Sequence, residues 1–353
     1  MRLSTLLLIR QRRLLESKLL SLQMKKLFLA IFAVMTCMVV TAKNTVKVEF
    51  NGTTAMVTID SNIAGFVTCS SGTSSHVSLV QAETVTETDP GEITYELSGS
   101  SSDGGFELKG SYKCTVKLTG LTLTNPTGAA INIDNGKRID LSASNINTLA
   151  DGANGSWKAC IYTKGHFEIK GKGTLNVTGN TGHAISCKEY MQVKNLTLNV
   201  TGAKKDGLHC QQYFWMQSGN INISGAKANG IKVELDGTTS TGALPNHEDE
   251  DGEDEDSGNC YLDGGSLTIQ NSDGSDIWTD GQLVVNGGSH SYDASKVSQN
   301  NATGITTLSK DKDITTGKAV TYDLNGRRVD LLDGRKGVFI IRKEDDIRKV
   351  IIQ

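Results

Sequence analysis

The sequence predicts an all-β fold: a right-handed parallel β-helix with three strands per coil, followed by a small C-terminal β module. Three observations predict it. The first is a period. Leu198 and Ile221 are 23 residues apart, as are Leu208 and Ile231, and repeats of roughly 20–50 residues mark solenoids. The second is a constant ten-residue step from Leu121 to Ile131, Leu175 to Ile185, Leu198 to Leu208, Ile221 to Ile231 and Leu267 to Ile277. The third is composition. With 38 Gly, 3 Pro and abundant Thr, Ser and Asn, the chain suits many short strands joined by tight turns.

Residues 25–42, KKLFLAIFAVMTCMVVTA, pair two lysines with an apolar run and a small-residue end. This reads as a secretory signal at 24–42, cleaved after Ala42, with Met24 as the start and residues 1–23 as an extension. The run is short for a membrane span. A lipoprotein reading would use Cys37, but Met35-Thr36 suits it poorly. Residues 43–90 read as strands capping one end of the solenoid, which a stack of coils requires.

Residues 91–295 carry the coils. The first strand of each coil holds Ile161, Ile185, Leu208, Ile231 or Ile277. The second holds Phe167/Ile169, Met191/Val193, Phe214/Met216 or Leu283/Val285, and the third Leu175/Val177, Leu198/Val200, Ile221/Ile223 or Leu267/Ile269. Alternation places these on one side of each strand and their neighbours on the other. Upstream, Phe106/Leu108, Val116/Leu118, Leu121/Leu123, Ile131/Ile133 and Ile139/Leu141 continue the pattern, and 147–157 reads as an inserted loop. A second loop, 246–259, carries eight acids in the nine positions Glu248–Asp256. Such a run is expected to be solvated, and it has no EF-hand frame. Residues 296–316 read as a linker. Residues 317–353 contain AVTYDL, GVFIIR and KVIIQ, with Asn325-Gly326 as a hairpin turn.

The formal net charge is −3, and the first 42 residues hold seven Lys/Arg and one Glu, so the remainder carries about −9. An acidic body excludes nucleic acid as the expected partner. Six of the seven cysteines lie beyond the signal, scattered and without zinc spacing, and read as buried thiols.

Outward positions form ladders. Beside the first strand lie Asn132, Tyr162, Ser186, His209, Lys232 and Trp278, and beside the second Glu168, Gln192, Trp215 and Tyr261. Aromatic faces interleaved with amides and charges suit sugars, so Tyr162, His209, Trp215, Lys232, Tyr261 and Trp278 are the candidate carbohydrate contacts. The alternative is that these aromatics cover lateral loops. Asn176, Asn199 and Asn222 form a third ladder, read as structural. A corner ladder holds His183, Asp206, Asn229 and Ser275. Asp206, with Asp273, Asp276 and Asp280, is the candidate Ca²⁺ set, because hard cations take carboxylate oxygens. Turn chemistry explains the same aspartates.

Catalysis lacks a constellation. Sugar β-elimination needs a neutralised carboxylate and a Lys or Arg base, and a site with Asp206, His209 and Lys232 can be drawn. Hydrolysis needs opposed carboxylates, and Glu168 has no partner facing it. No catalytic residue is assigned.

The corners HAISCK, KDGLHC and ANGIKV, each followed by a G-x-[IL]-x-[IV]-type strand, resemble secreted bacterial β-helical carbohydrate-binding proteins of pectate-lyase-like fold. GAAINIDNGKRIDL, NTLADG and GNCYLDGGSLTI share the likeness, which covers roughly residues 91–290. It implies polysaccharide binding, acidic plant cell-wall glycans included, and Ca²⁺ at the acidic corners, without established catalysis. Only Asp206 keeps the Asp-Gly form; His183, Asn229 and Ser275 depart from it. The tail pieces YDLNGRRV and KGVFII resemble a type IX secretion sorting domain, although RKEDDIRKV replaces its usual ending. The expectation is therefore a secreted or outer-membrane surface protein, monomeric, exported by type IX machinery. It binds polysaccharide with Ca²⁺ and without chemistry; a lyase and an adhesin are the alternatives.

Overall fold

The computed structural model describes residues 44–152, 157–236 and 257–300, together with the backbone of four strands between Val320 and Ile352. The expected extension and signal peptide, the acidic run to Asp256 and the expected linker beyond residue 300 lie outside the described residues.

Described residues 44–300 form a parallel β-solenoid of about eight turns. The 23-residue period appears directly as strand register. On the first face Ile161 pairs with Ile185, Ile185 with Leu208, Leu208 with Ile231 and Ile231 with Ile277. On the second, Phe167, Met191 and Phe214 are partners, and on the third Leu175, Leu198 and Ile221. These side chains are at most 1% exposed. Each full burial of this kind stabilises by about 1.5–3 kcal/mol, so every coil adds an increment to one continuous core.

The second and third faces belong to one 16-stranded sheet, and the first face is a separate ten-stranded ladder. The strand Cys114–Asn125 causes the fusion. Its first half pairs with Ile139–Ser144 and its second half with Ile146–Asp151. Gly120, at φ 65°, lies between the halves. In later coils the corner before the third face breaks the strand. Gly219 sits there at φ 93°, where a Cβ would lie 2.4 Å from the Leu196 carbonyl oxygen. A side chain there meets both strain and a backbone clash.

Three expectations change. Residues 147–151 belong to the third-face strand Ile146–Asp151, and the insertion begins only after it. The pattern is hidden because two of its inward residues, Asn147 and Asp151, are polar, at 0% and 1% exposure. They are satisfied locally: Asn147 Oδ1 accepts from Leu121 N–H at 2.9 Å, and Asp151 binds the Asn180–Thr181 turn. The ladder also runs past residue 295, since Val297–Gln299 pairs with Ile277–Thr279. Only one of those three residues is apolar, as befits a terminal strand. Finally, part of the N-terminal segment is a coil strand itself. Thr45–Asn51 runs parallel to Ile93–Ser101, while Thr54–Ile59 turns back antiparallel on it.

Among the described cysteines all six are free and five are buried, with Cys69 intermediate. The tail strands Val320–Asp323, Arg328–Val329, Gly337–Lys343 and Asp346–Ile352 form an antiparallel sheet of their own. Thr321 pairs with Val329, and the expected turn at Asn325-Gly326 lies outside the described residues.

Candidate functional site

The two outward stripes register as the period requires. On the first face Tyr162 pairs with Asn132 and Ser186, Ser186 with His209, His209 with Lys232 and Lys232 with Trp278. On the second, Glu168, Gln192, Trp215 and Tyr261 are successive partners. Strand spacing sets their separation at about 4.8 Å per coil.

Exposure divides the six candidate sugar contacts. Tyr162, His209 and Tyr261 are 7%, 9% and 2% exposed and present little of their rings. Lys158 Nζ covers Tyr162, 5.0 Å from its ring centre and 3.3 Å from its hydroxyl. Tyr261 joins Tyr190 and Tyr213 in a small apolar cluster outside the main core. His166, Tyr190 and Tyr213 stack at 4.5 and 4.9 Å, and Tyr213 meets Tyr261 edge-on at 6.2 Å. His166, Tyr190 and Tyr213 each sit just before a second-face strand, whereas Tyr261 lies within one; the signal in the sequence is Tyr190 and Tyr213, 23 residues apart.

Trp215, Lys232 and Trp278 stay partly exposed. Trp215 packs on the tyrosine column, and its indole N–H donates to Asp263 Oδ2 at 2.7 Å. Lys232 Nζ lies 4.9 Å from the Trp278 ring centre and 2.8 Å from Glu234 Oε2. The indole thereby lies beside a cation that is itself paired with a carboxylate. Trp157, at the end of the insertion, is 40% exposed. It lines a shallow cavity of about 190 Å³ with His76, Glu107, Asn125 and Asn132. Trp157 falls outside the repeat, so the periodicity gives it no ladder position.

The four candidate calcium aspartates do not converge. Asp206 is 3% exposed; its Oδ1 accepts from the Asn229 N–H and side-chain amide at 2.9 and 2.7 Å, and its Oδ2 lies 3.0 Å from His183 Nδ1. Burial opposes its ionisation, but these hydrogen bonds outweigh burial and hold the carboxyl below the usual range. Asp276 accepts from Asp293 N–H at 2.8 Å, and Asp280 from Leu235 N–H at 2.8 Å and Asn300 at 3.1 Å. Asp273 is exposed, 3.4 Å from Lys227 Nζ. Each carboxylate thus serves a different turn. Among the described residues, three metal-type side chains come together only at His183, Asp206 and His209, with their ligand atoms all within 4.8 Å of one another.

His209 sits between the corner and the first-face stripe. Its Nδ1 is 3.1 Å from Ser186 Oγ and its Nε2 3.4 Å from Glu234 Oε2. Burial, then neighbouring His183, push its pKa down to about 4, so the ring is neutral at physiological pH. The Asn ladder behaves as structure. Asn199 donates to Asn176 at 2.8 Å and Asn222 to Asn199 at 2.9 Å, running along the third face.

A family model described as carbohydrate-binding domain-containing protein matches residues 81–334 of the chain. No curated protein matches it. A solved structure, the polysaccharide lyase-like protein from C. thermocellum determined as a gadolinium derivative, superposes with a TM-score of 0.52. The two are 19% identical over 73% of this chain and 98% of that one. At that identity the likeness is one of fold.

Proposed function

We propose, starting from the fact that this chain belongs to the carbohydrate-binding domain-containing protein family, that it binds a polysaccharide along its first and second faces without chemically altering it. One observation carries the proposal: Trp215 and Trp278 stand partly exposed in the registered outward stripes, each held by a polar partner. An indole face packs against the C–H side of a sugar ring while amides and charges take its hydroxyls. Because each stripe continues over several coils, the ligand is a chain of sugars. Lys232 Nζ, beside the Trp278 ring and paired with Glu234, is a hydrogen-bond donor for the sugar hydroxyls.

Several first-face groups are already engaged with one another: Lys232 with Glu234, and Asp206 with His183 and Asn229. Spent in this way, they support binding over elimination. The test is binding to immobilised and soluble polysaccharides, polygalacturonate included, with absorbance followed for unsaturated products. Retention without product growth is the expected result. Steady product formation, lost in Lys232→Ala, overturns the non-catalytic part, and no retention on any glycan overturns the binding part in favour of an adhesin.

Calcium enters as a stabilising ligand at the aspartates that flank the strand Ile277–Thr279, Asp273, Asp276 and Asp280. Its support is their closeness in the sequence, against the competing use of Asp276 and Asp280 by backbone N–H groups. A ligand of the native state raises its melting point, so an unchanged midpoint with chelator removes calcium from the proposal. Export rests on the signal-like residues 24–42 and on the tail motifs YDLNGRRV and KGVFII. Deleting residues 317–353 is expected to keep the protein from the cell surface, and unchanged surface display sinks the type IX reading.

A further inference from the structure

The corner ladder and the first face meet at one point. His183 and Asp206 occupy the same corner position of successive coils, and His209 follows Asp206 by three residues on its strand. The two imidazoles stack with centres 4.4 Å apart, tilted by 17°. We propose that His183, Asp206 and His209 form a binding site for a borderline divalent transition ion of the Zn²⁺ class, distinct from any calcium site.

Four features of the geometry support this. First, ligand spacing: two donors about 2 Å from one tetrahedral ion sit roughly 3.3 Å apart. His183 Nδ1 and Asp206 Oδ2 are 3.0 Å apart, and the third ligand atom lies within 4.8 Å of both. Second, the Asp206 backbone N–H points at His183 Nδ1 from 3.3 Å. Across the 3.0 Å gap His183 Nδ1 and Asp206 Oδ2 share one hydrogen bond, and an ion bound between them takes the place of that proton. Third, outer contacts aim the ligands. Asn229 ties Asp206 Oδ1 through two hydrogen bonds and leaves Oδ2 for the site; Ser186 and Glu234 each hold one His209 nitrogen, so the nitrogen that takes the ion exchanges its partner and the other keeps its own. Fourth, the site is reachable. The His183 and His209 side chains keep 13% and 11% of their surface.

Two imidazoles and one carboxylate select the metal class. Calcium takes six to eight oxygens, whereas imidazole suits Zn, Cu and Ni. Three protein ligands also leave a position open for water or another oxygen. The bland alternative is a metal-free pair in which His183 donates to Asp206 beneath a stacked His209. That arrangement predicts no specific affinity for the ion.

The test uses chelator-stripped protein titrated calorimetrically with Zn²⁺ alone, and with Co²⁺ followed by visible absorption. The expected result is one Zn²⁺ site that excess Ca²⁺ does not displace, with a Co²⁺ spectrum of nitrogen and oxygen ligation. His183→Asn and His209→Gln each weaken that site by more than about 100-fold. Asn is a safe substituent at the corner, because Asn229 already occupies the equivalent position of the next coil. The Co²⁺ spectrum of the unsubstituted protein reads the ligands directly, whether or not a variant folds. Absence of Zn²⁺ binding, displacement by Ca²⁺, or affinity unchanged in both variants overturns the proposal.

Discussion

The indole N–H of Trp215 donates to Asp263 Oδ2 at 2.7 Å, which ties a second-face side chain to the turn of the following coil. An indole pinned in this way costs little further ordering when a sugar ring packs on it. Trp215→Ala should therefore weaken polysaccharide binding by roughly tenfold, about 1.4 kcal/mol. Asp263→Ala leaves the ring but frees it, so the loss should be smaller and accompanied by a change in tryptophan emission. Calorimetry on both variants checks this, and equal affinity in all three proteins would move the ligand off the second face.

Asn199 gives one hydrogen bond to Asn176 and receives one from Asn222. Water replaces part of both in Asn199→Ala, because the ladder is partly exposed, so the stability lost should be about 1 kcal/mol. Denaturant unfolding measures it. Polysaccharide affinity should not change, since the third face carries none of the proposed contacts.

Leu198 is fully buried between Leu175 and Ile221, and Leu198→Ala should cost about 2–5 kcal/mol. Gly219→Ala removes no contact, yet it places a Cβ 2.4 Å from the Leu196 carbonyl at a positive φ. It should cost about 1–3 kcal/mol through strain alone. If thermal melting shows it neutral, the corner relaxes more readily than its backbone suggests.

The fold was legible because the inward residues repeat in both identity and spacing; Ile185, Leu208 and Ile231 specify register by themselves. The strand Ile146–Asp151 was not legible, because Asn147 and Asp151 point inward and a polarity pattern cannot show which polar residues are satisfied inside. For the candidate site, the repeat named every outward residue but not its cover. Tyr261 and Trp215 are neighbours in register, yet one is 2% exposed and the other stays partly open. Tyr261 meets Tyr213 edge-on and holds Asn259 through its hydroxyl, and neither partner belongs to the alternating outward set. Likewise, sequence periodicity placed His183 and His209 on different ladders, and only the turn of the corner brings their rings together.

Glu168 tests the electrostatics of the second face. Its side chain is 19% exposed and accepts from the Tyr190 hydroxyl at 3.2 Å. The nearby cation favours its neighbour: Lys170 Nζ is 2.6 Å from Asp140 and 3.8 Å from Glu168. Burial first, and the Asp140 charge second, therefore raise the Glu168 pKa above the usual glutamate range. In the unfolded chain this carboxyl loses its proton in the ordinary range, while the folded protein keeps it to higher pH. Between the two values the folded state binds more protons, so stability falls as pH rises through that window and the loss persists above it. Glu168→Gln retains an acceptor for Tyr190 and removes the charge. The variant should melt higher than the parent at neutral pH, and the gap should close as the pH drops below the ordinary glutamate range. Melting curves of both proteins from acid to neutral pH decide it, because a gap that stays constant means that Glu168 ionises normally in the folded state.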